Sequence, residues 1–408
     1  MIPISRGTER KALCLFFDLQ IRKNDMNKNS TLCNFIAQNT NWEELLSSPP
    51  FDIKIKHGTG ENANLCIFNY NHRTSDFSIP EVQEARGIII NVKTQDVVCW
   101  PFRKFGNYGE YYADSIDWQS ARVSEKMDGS IIKVWFNKNQ NKWVVSTNGQ
   151  ILAEDAQCEC KNIDSTNEIP TNFREIFDRV INPINYEYLE KDNTYIFELC
   201  SPYNRVVVNY EEPQLYHIGT RNNISGREME IFIGIQQPRE YQLKSLEDVI
   251  SAAGAIAPQN QSVTDCKNED VSFEGFVVRD KDYHRIKVKS WKYIAKHYLS
   301  GPMAKVDLLE IALSGEGEEF SLYMPSQAAI IESYQKKIAV IKEKIHSICV
   351  LANNTLKGCS SDKDFALKWQ ALNIGELSYI GYMIKAGKTE EESYIGFTSS
   401  QWIKMIER

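Results

Sequence analysis

The chemistry that reads most directly from the sequence is carried by Ser124-Glu125-Lys126-Met127-Asp128-Gly129-Ser130, which stands immediately before a run of strand character. A lysine amine that has lost its proton can attack the α-phosphate of a nucleotide, and a glycine nearby removes a side chain where backbone and nucleotide come close. Taken alone, Lys-x-Asp-Gly is better read as a charged turn ended by Asp-Gly. Its companions on later strands change that reading. Glu198 lies in Tyr195-Ile-Phe-Glu-Leu199, Glu274 in Phe273-Glu-Gly-Phe-Val-Val278, and Lys287 and Lys289 in Ile286-Lys-Val-Lys289. Phosphoryl transfer needs charge neutralisation and in-line placement more than acid–base work, hence a divalent metal held by acidic residues on different strands. Lys287 and Lys289, two apart, could merely be the wet face of a strand. Glu198 is harder to dismiss, because a carboxylate between Phe197 and Leu199 in an apolar run demands a partner.

Strands must position these groups. From about Leu65 to Lys289 the chain reads as short β-branched and aromatic runs with turn punctuation: 87–92, 97–100, 131–136, 142–146, 194–199, 205–209, 231–235, 273–278 and 284–289. The polar connector Asn137-Lys-Asn-Gln-Asn141 is of hairpin length, which pairs its flanking strands antiparallel. After about Leu299 the period becomes helical. Ile330, Tyr334, Ile338, Ile341, Ile345 and Ile348 fall on one face of a long amphipathic helix. Phe365, Trp369 and Leu372 after an N-cap at Ser361 or Asp362 predict a second helix, and Trp402, Ile403 and Ile406 after Ser399 or Ser400 a third. Gly301-Pro302 is the expected junction, giving a domain at 1–298 with an N-terminal extension and a helical domain at 299–408.

Composition bounds the class. At 408 residues, with 42% hydrophobic and 25% charged residues, the chain is long enough for two globular cores and too apolar to be disordered. The net charge of -7 requires any nucleic-acid surface to be a local basic patch. No apolar run approaches the roughly 18–20 residues that span a bilayer, and no apolar leader precedes a cleavage site. The 10 cysteines are scattered and form no metal-binding pattern, which points to reduced thiols and a cytoplasmic protein, in a host cell if the source is a virus.

The ordered set Lys126-x-Asp-Gly, Glu198, Glu274-Gly275 and Lys287-x-Lys289 resembles the covalent nucleotidyltransferase superfamily of ATP-dependent ligases and capping enzymes. Within it, Phe68-Asn-Tyr-Asn71, Glu84-Ala-Arg-Gly-Ile-Ile89, Pro101-Phe-Arg-Lys-Phe-Gly-Asn107 and Ser201-Pro-Tyr-Asn-Arg-Val-Val207 are similar, in order and spacing, to the RNA ligase 1 family of T-even phage type. The resemblance covers most of residues 65–295 closely and the helical tail loosely. It implies an α+β fold: a mainly antiparallel-sheet nucleotidyltransferase domain of ATP-grasp-like ligase type, followed by an all-helical C-terminal domain that selects RNA. It further implies that Lys126 becomes adenylated, that Arg86, Lys104, Lys287 and Lys289 meet the phosphates of ATP or AMP, and that Tyr70, Gly129 and Tyr293 line the nucleotide pocket. Glu198 and Glu274, assisted by Asp128, would hold Mg²⁺ or Mn²⁺. The implied activity joins RNA 5′-phosphate and 3′-hydroxyl ends through lysyl-AMP and RNA-adenylate, as in RNA repair. A nicked tRNA is a candidate substrate, a kinase or phosphatase would heal the ends, and the chain would act as a monomer without a membrane. One departure stands out: in Val145-Ser-Thr-Asn-Gly-Gln150, Asn148 occupies the place of an expected nucleotide-contacting lysine. The first 60 residues also run longer than the family pattern.

The physics of the residues agrees with the resemblance. A free lysine titrates near pKa ~10.4 and needs neighbouring cations or desolvation to become a nucleophile near neutrality, and Arg86, Lys104, Lys287 and Lys289 would serve that end while binding phosphate. No acid occurs between Tyr283 and Val306, whereas Arg285, Lys287, Lys289, Lys292, Lys296 and Lys305 alternate there with Trp291, Tyr293 and Tyr298, a pattern suited to backbone phosphates and stacked bases. A DNA ligase or an mRNA guanylyltransferase shares the lysine motif, but in both a β-rich oligonucleotide-binding fold follows the Lys-x-Lys strand, where helices are expected here. A catalytically idle RNA-binding protein would not need a lysine nucleophile beside two metal-site carboxylates.

Overall fold

The computed structural model describes residues 30–158, 169–180, 183–257, 271–298, 305–394 and 397–407. These fall into two compact units, one holding the described residues from 30 to 297 and the other those from 298 to 407. The expected junction at Gly301-Pro302 lies outside the described residues.

The strands of the first unit are β1 (Lys54–His57), β2 (Leu65–Asn69), β3 (Arg86–Asn91), β4 (Asp96–Cys99), β5 (Arg122–Lys126), β6 (Ser130–Asn137), β7 (Lys142–Thr147), β8 (Asn193–Cys200), β9 (Gln214–Asn222), β10 (Glu228–Met229), β11 (Glu240–Tyr241), β12 (Gly275–Arg279) and β13 (Arg285–Lys289). They form three sheets of order β1-β2-β3-β4, β10-β9-β8-β6-β7 and β11-β5-β12-β13. Neighbouring strands in all three are antiparallel. The expected β6–β7 hairpin forms, with Ile132 opposite Thr147 and Asn137 opposite Lys142. β6 lies inside its sheet between β8 and β7 and carries Ile132, Val134 and Trp135 fully into apolar clusters. Continuous apolar runs suit strands covered on both faces.

Two expected strands are absent. Arg205–Asn209 follows a short 3-10 turn at Pro202–Asn204 and joins no sheet, because the amides of Val207 and Val208 are taken by the carboxylate of Asp128 instead of a neighbouring strand. Residues 231–235 also form no ladder. Gly234 adopts φ +80°, a left-handed turn that breaks the extended backbone a ladder needs, while Ile233 and Ile235 are buried and Phe232 remains 80% exposed. The stretch before β1, from which sequence reading drew little, builds a packed face of this unit: Leu32, Cys33, Ile36 and Leu46 cluster with Phe68, Val82 and Ile88. Its first helix, Thr31–Gln38, is pinned to the buried Glu84 carboxylate, which accepts from the Ser30 and Thr31 hydroxyls and the Leu32 amide at 3.1, 3.0 and 2.8 Å.

The described residues of the second unit are helical. The long helix spans Ala328–Lys357 and buries Ile331, Ile338, Ile345, Ile348, Cys349 and Ala352. Its face is offset by one residue at the start from the expected one, with Ile330 45% exposed and Ile331 covered. Asp362–Ala371 is capped by Ser361, whose hydroxyl accepts from the Asp364 amide, and packs Phe365 and Trp369 on the long helix. Leu372, expected on that face, lies beyond the helix end and is exposed. The last helix, Ser399–Ile406, begins one residue earlier than expected, because Thr398 and Gln401 form a reciprocal capping box. No helix among the described residues is long and apolar enough to cross a membrane.

Candidate active site

Strand register brings the separate motifs together. Gly275 faces Lys126 on one side and Lys289 on the other, so the ends of β5, β12 and β13 meet at one edge of their sheet. A Cβ at Gly275 would lie 2.2 Å from the Val288 carbonyl oxygen, so only glycine lets these strands approach so closely. Glu274, just before it, is 3% exposed and accepts from Lys126 Nζ at 2.8 Å, while Lys289 Nζ stands 3.9 Å from its other oxygen. Glu198 comes from β8, opposite Ile131 on β6. Burial pushes its carboxyl up to about 7, with Lys126 pulling it down and Glu274 pushing it further up.

Lys126, Glu198, Lys287 and Lys289 line a cavity of about 510 Å³ together with Tyr70, Arg86 and Lys104. Lys287 is held there by its backbone, which exchanges hydrogen bonds with Gly106 and Tyr108 at 3.1 and 3.0 Å and so ties the 101–107 segment alongside β13. Lys104 is buried, and its ammonium lies 4.9, 4.8 and 5.8 Å from the ring centroids of Tyr70, Phe77 and Tyr112. Ring faces stabilise the cation without neutralising it. Arg86 opens β3 with its guanidinium 5.2 Å from the Phe105 centroid, and one of its terminal nitrogens, Nη1, is buried without a hydrogen-bond partner.

Four expected residues do not line the cavity: Glu274, which stands behind it and touches the lining Lys126, and Asp128, Gly129 and Tyr293. Asp128 is buried, and its Oδ2 accepts from the amides of Val207 and Val208 at 2.9 and 2.7 Å while Oδ1 accepts from the Tyr293 hydroxyl at 2.8 Å. Its oxygens are thus occupied by the chain itself, an arrangement suited to a clamp and not to an assisting metal ligand. Tyr293, expected in the pocket wall, is the buried third arm of that clamp, with its ring stacked on His297 at 5.8 Å. Gly129 is demanded by protein backbone: a Cβ there would lie 2.4 Å from the Leu199 carbonyl oxygen. The basic, aromatic segment is likewise only partly a surface. In the helix Trp291–Tyr298, Trp291, Tyr293 and Ile294 are buried, because an amphipathic helix turns its rings inward, and Lys292 is left exposed.

The structure also places groups in the cavity wall that motif reading passed over. Arg122 and Arg279, opposite each other on β5 and β12, line it with Arg285. Glu230 bridges Arg122 and Arg279 at 3.0 and 2.5 Å, and Glu228 pairs with Arg285 at 2.5 Å. The signal was available in the strand period: Arg122 stands four residues before Lys126, and Arg279 four after Gly275, each on the motif's own face. His217, also in the wall, donates from Nε2 to the Gly219 carbonyl and lies within hydrogen-bond distance of Thr220 Oγ1, and burial pushes its ring down to about 4. Lys133 and Asn148 lie outside the lining and meet at Gly87, where a Cβ would fall 2.9 Å from Lys133 Nζ and 2.6 Å from Asn148 Oδ1.

Comparison with known proteins bears on this geometry. The chain is 29% identical over 309 residues to a protein of Autographa californica nuclear polyhedrosis virus named as a bifunctional polynucleotide kinase/RNA ligase, over 70% of this chain and 40% of that protein. It is 24% identical over 288 residues to an RNA ligase of Rhodothermus phage RM378, over 58% of this chain and 64% of the phage protein. The matched part is therefore less than two thirds of the length of either relative. Among solved structures it is similar to an archaeal ATP-dependent RNA ligase, with TM-score 0.40 and 12% identity over 76% of this chain and 79% of that one. A family model described as RNA ligase matches residues 84–297, a span running from just before Arg86 through Lys126, Glu198 and Glu274 to the helix that carries Tyr293. That span is more than half of the chain and contains nearly all of the cavity wall, and on it this chain belongs to the RNA ligase family.

Proposed function

We propose that the chain is an ATP-dependent RNA ligase, joining a 5′-phosphate to a 3′-hydroxyl through three nucleotidyl transfers. The observation that carries this reading is Lys126 Nζ at the edge of a cavity, touching Glu274 at 2.8 Å, with Lys104, Arg86, Lys287 and Lys289 lining the same space. The lysine attacks the α-phosphate of ATP, a phosphoramidate N–P bond forms, and the bond to the β-phosphate breaks to release pyrophosphate. The four cations bind the departing charge. The AMP then passes to an RNA 5′-phosphate, and an RNA 3′-hydroxyl displaces it as the new phosphodiester forms.

Glu198 and Glu274 fit a hard divalent cation, Mg²⁺ or Mn²⁺. They are two carboxylates beside one another, and the charged form of Glu198 is disfavoured in the cation's absence by burial and by Glu274. Such an ion would neutralise charge on the phosphates. Asp128 holds the backbone around the nucleophile in place of binding the ion. The wholly helical character of the described residues after β13 supports an RNA ligase over a DNA ligase or guanylyltransferase, and we assign the helical unit the selection of RNA, with a nicked tRNA loop as one candidate. Because ligation consumes only matched ends, a kinase or phosphatase would heal those that do not match, in keeping with the name of the Autographa californica nuclear polyhedrosis virus relative.

Incubation with α-labelled ATP or GTP, followed by denaturing gel and acid treatment, tests the reading. Acid-labile label retained on the protein from ATP alone is expected. Label from GTP, or none from either, overturns it.

A further inference from the structure

Lys133 is the least economical residue in the molecule. It lies in the middle of β6 between Ile132 and Val134, and its side chain is 0% exposed. Among the described residues no carboxylate pairs with it, and its hydrogen bond goes to the carbonyl of Gly87. An ammonium buried on one neutral acceptor is costly, and a methionine would fill the same space without that cost. Burial lowers its pKa to about 8, and Arg86 adds to the lowering.

Its surroundings say what the charge does. Gly87 follows Arg86, adopts φ +80°, and has no room for a Cβ because Lys133 Nζ and Asn148 Oδ1 both crowd it. Asn148 Oδ1 and Arg86 Nη1 are buried atoms without partners, so the cluster is polar, closed and incompletely satisfied. The turn Val145–Gln150 carries no cation of its own, whereas Lys133 is the cross-strand partner of Ser146 within the same hairpin. Hydrogen bonds tie this cluster to the cavity wall at two places: Lys133 to the Gly87 carbonyl beside Arg86, and Asn148 Nδ2 to Asn69 Oδ1, at 3.4 Å, beside Tyr70.

We propose that Lys133 is a positioning residue for the phosphate end of the cavity: its ammonium holds the Gly87 carbonyl, in the peptide that directly follows Arg86 and Gly87, and through that backbone aims the Arg86 guanidinium at the phosphate chain. It acts through Arg86 and does not touch the nucleotide. The consequence is selective. Groups that recognise base and ribose are untouched, while the β- and γ-phosphates lose part of their binding site when Lys133 is replaced. This inference rests on the ligase reading.

The test compares two ligands on the full chain. Binding of α,β-methylene-ATP, which cannot transfer AMP, and of AMP is measured for the wild type, Lys133→Met and Lys133→Gln. The expected result is a loss of about tenfold or more in affinity for α,β-methylene-ATP with AMP changed by less than about twofold, and partial recovery when Asn148→Lys is added to Lys133→Met. Equal weakening of both ligands means a merely structural role and overturns the proposal, as does no change in either. If the Met variant fails to fold, the Gln variant, which keeps a donor for the Gly87 carbonyl, decides by the same criterion; unfolding of both also overturns it. Failure of the underlying reading looks different, since the wild type would then form no lysyl-AMP at all.

Discussion

Asp128 offers the sharpest separation between a clamp and a metal ligand, because the two roles predict opposite pairs of results. Asp128→Ala strips acceptors from three buried groups at once: the amides of Val207 and Val208 and the hydroxyl of Tyr293. Each buried donor left unsatisfied costs about 1–3 kcal/mol. The Tyr293 hydroxyl can rotate, so its share is counted low, and the sum is about 3–6 kcal/mol. That is a large part of the roughly 5–15 kcal/mol that holds an ordinary domain together. Asp128→Asn keeps one oxygen for the two amides and turns a donor towards Tyr293, whose hydroxyl can reverse and accept, so about 1–2 kcal/mol is expected. Urea unfolding followed by tryptophan fluorescence gives the stabilities, and acid-labile label from α-labelled ATP gives adenylation on the folded fraction. The clamp predicts a severe stability loss for Ala, and for Asn a mild loss with adenylation within about tenfold of wild type. Asp128→Ala within about 1 kcal/mol of wild type, or a fully stable Asp128→Asn that no longer adenylates, would refute this and return the carboxylate to the metal.

Lys126→Ala is expected to abolish label transfer with a melting temperature close to wild type, and persistent labelling on a gel would exclude it as the nucleophile. Glu198→Gln should lower adenylation by about 100-fold or more while leaving thermal stability unchanged or raised, since it removes a buried charge facing Glu274; a wild-type single-turnover rate would contradict this. His217 is held neutral, its folded pKa of about 4 lying below the unfolded 6.5, so the unfolded chain takes up the proton first as pH falls. The stability of the wild type relative to His217→Asn should therefore drop by up to about 3 kcal/mol between pH 6.5 and 4, the opposite pull of Glu198, whose carboxyl is raised to about 7, being common to both chains, and denaturant titrations of the two at pH 7, 5.5 and 4.5 check that difference. A chain ending at residue 298 should still form lysyl-AMP yet lose its preference between a structured nicked RNA and a plain single strand, and an unchanged ratio of joining rates would remove the helical unit from RNA selection.

The closeness of Lys126, Glu198 and Glu274 was legible because each lies in or directly beside a strand and recurs in the order of a known motif set, and Glu198 also because the apolar run around it cannot explain a carboxylate. Lys104 was legible only by resemblance, since nothing in Pro101–Asn107 announces three rings drawn from residues 70, 77 and 112. Val206, Val207 and Val208 look like a strand to any propensity argument, and the reason they are not one lies some 80 residues earlier in Asp128. Tyr293 failed in the same way: spacing identifies a tyrosine near the Lys-x-Lys strand but not which side of the wall it takes. The helical period located the second unit's elements well, and erred by a residue or so at helix ends, where capping chemistry at Thr398 and Gln401 outweighs apolar periodicity.

The ring cage around Lys104 sets it apart from the other lysines of the cavity. Lys126 and Lys289 both lean on Glu274, so an arriving anion must compete with a resident one for them. Aromatic faces attract a cation without neutralising it, and among the described residues no carboxylate pairs with Lys104. An anion entering the cavity would therefore meet at Lys104 a cation that no resident carboxylate holds, whereas at Lys126 it would have to displace Glu274.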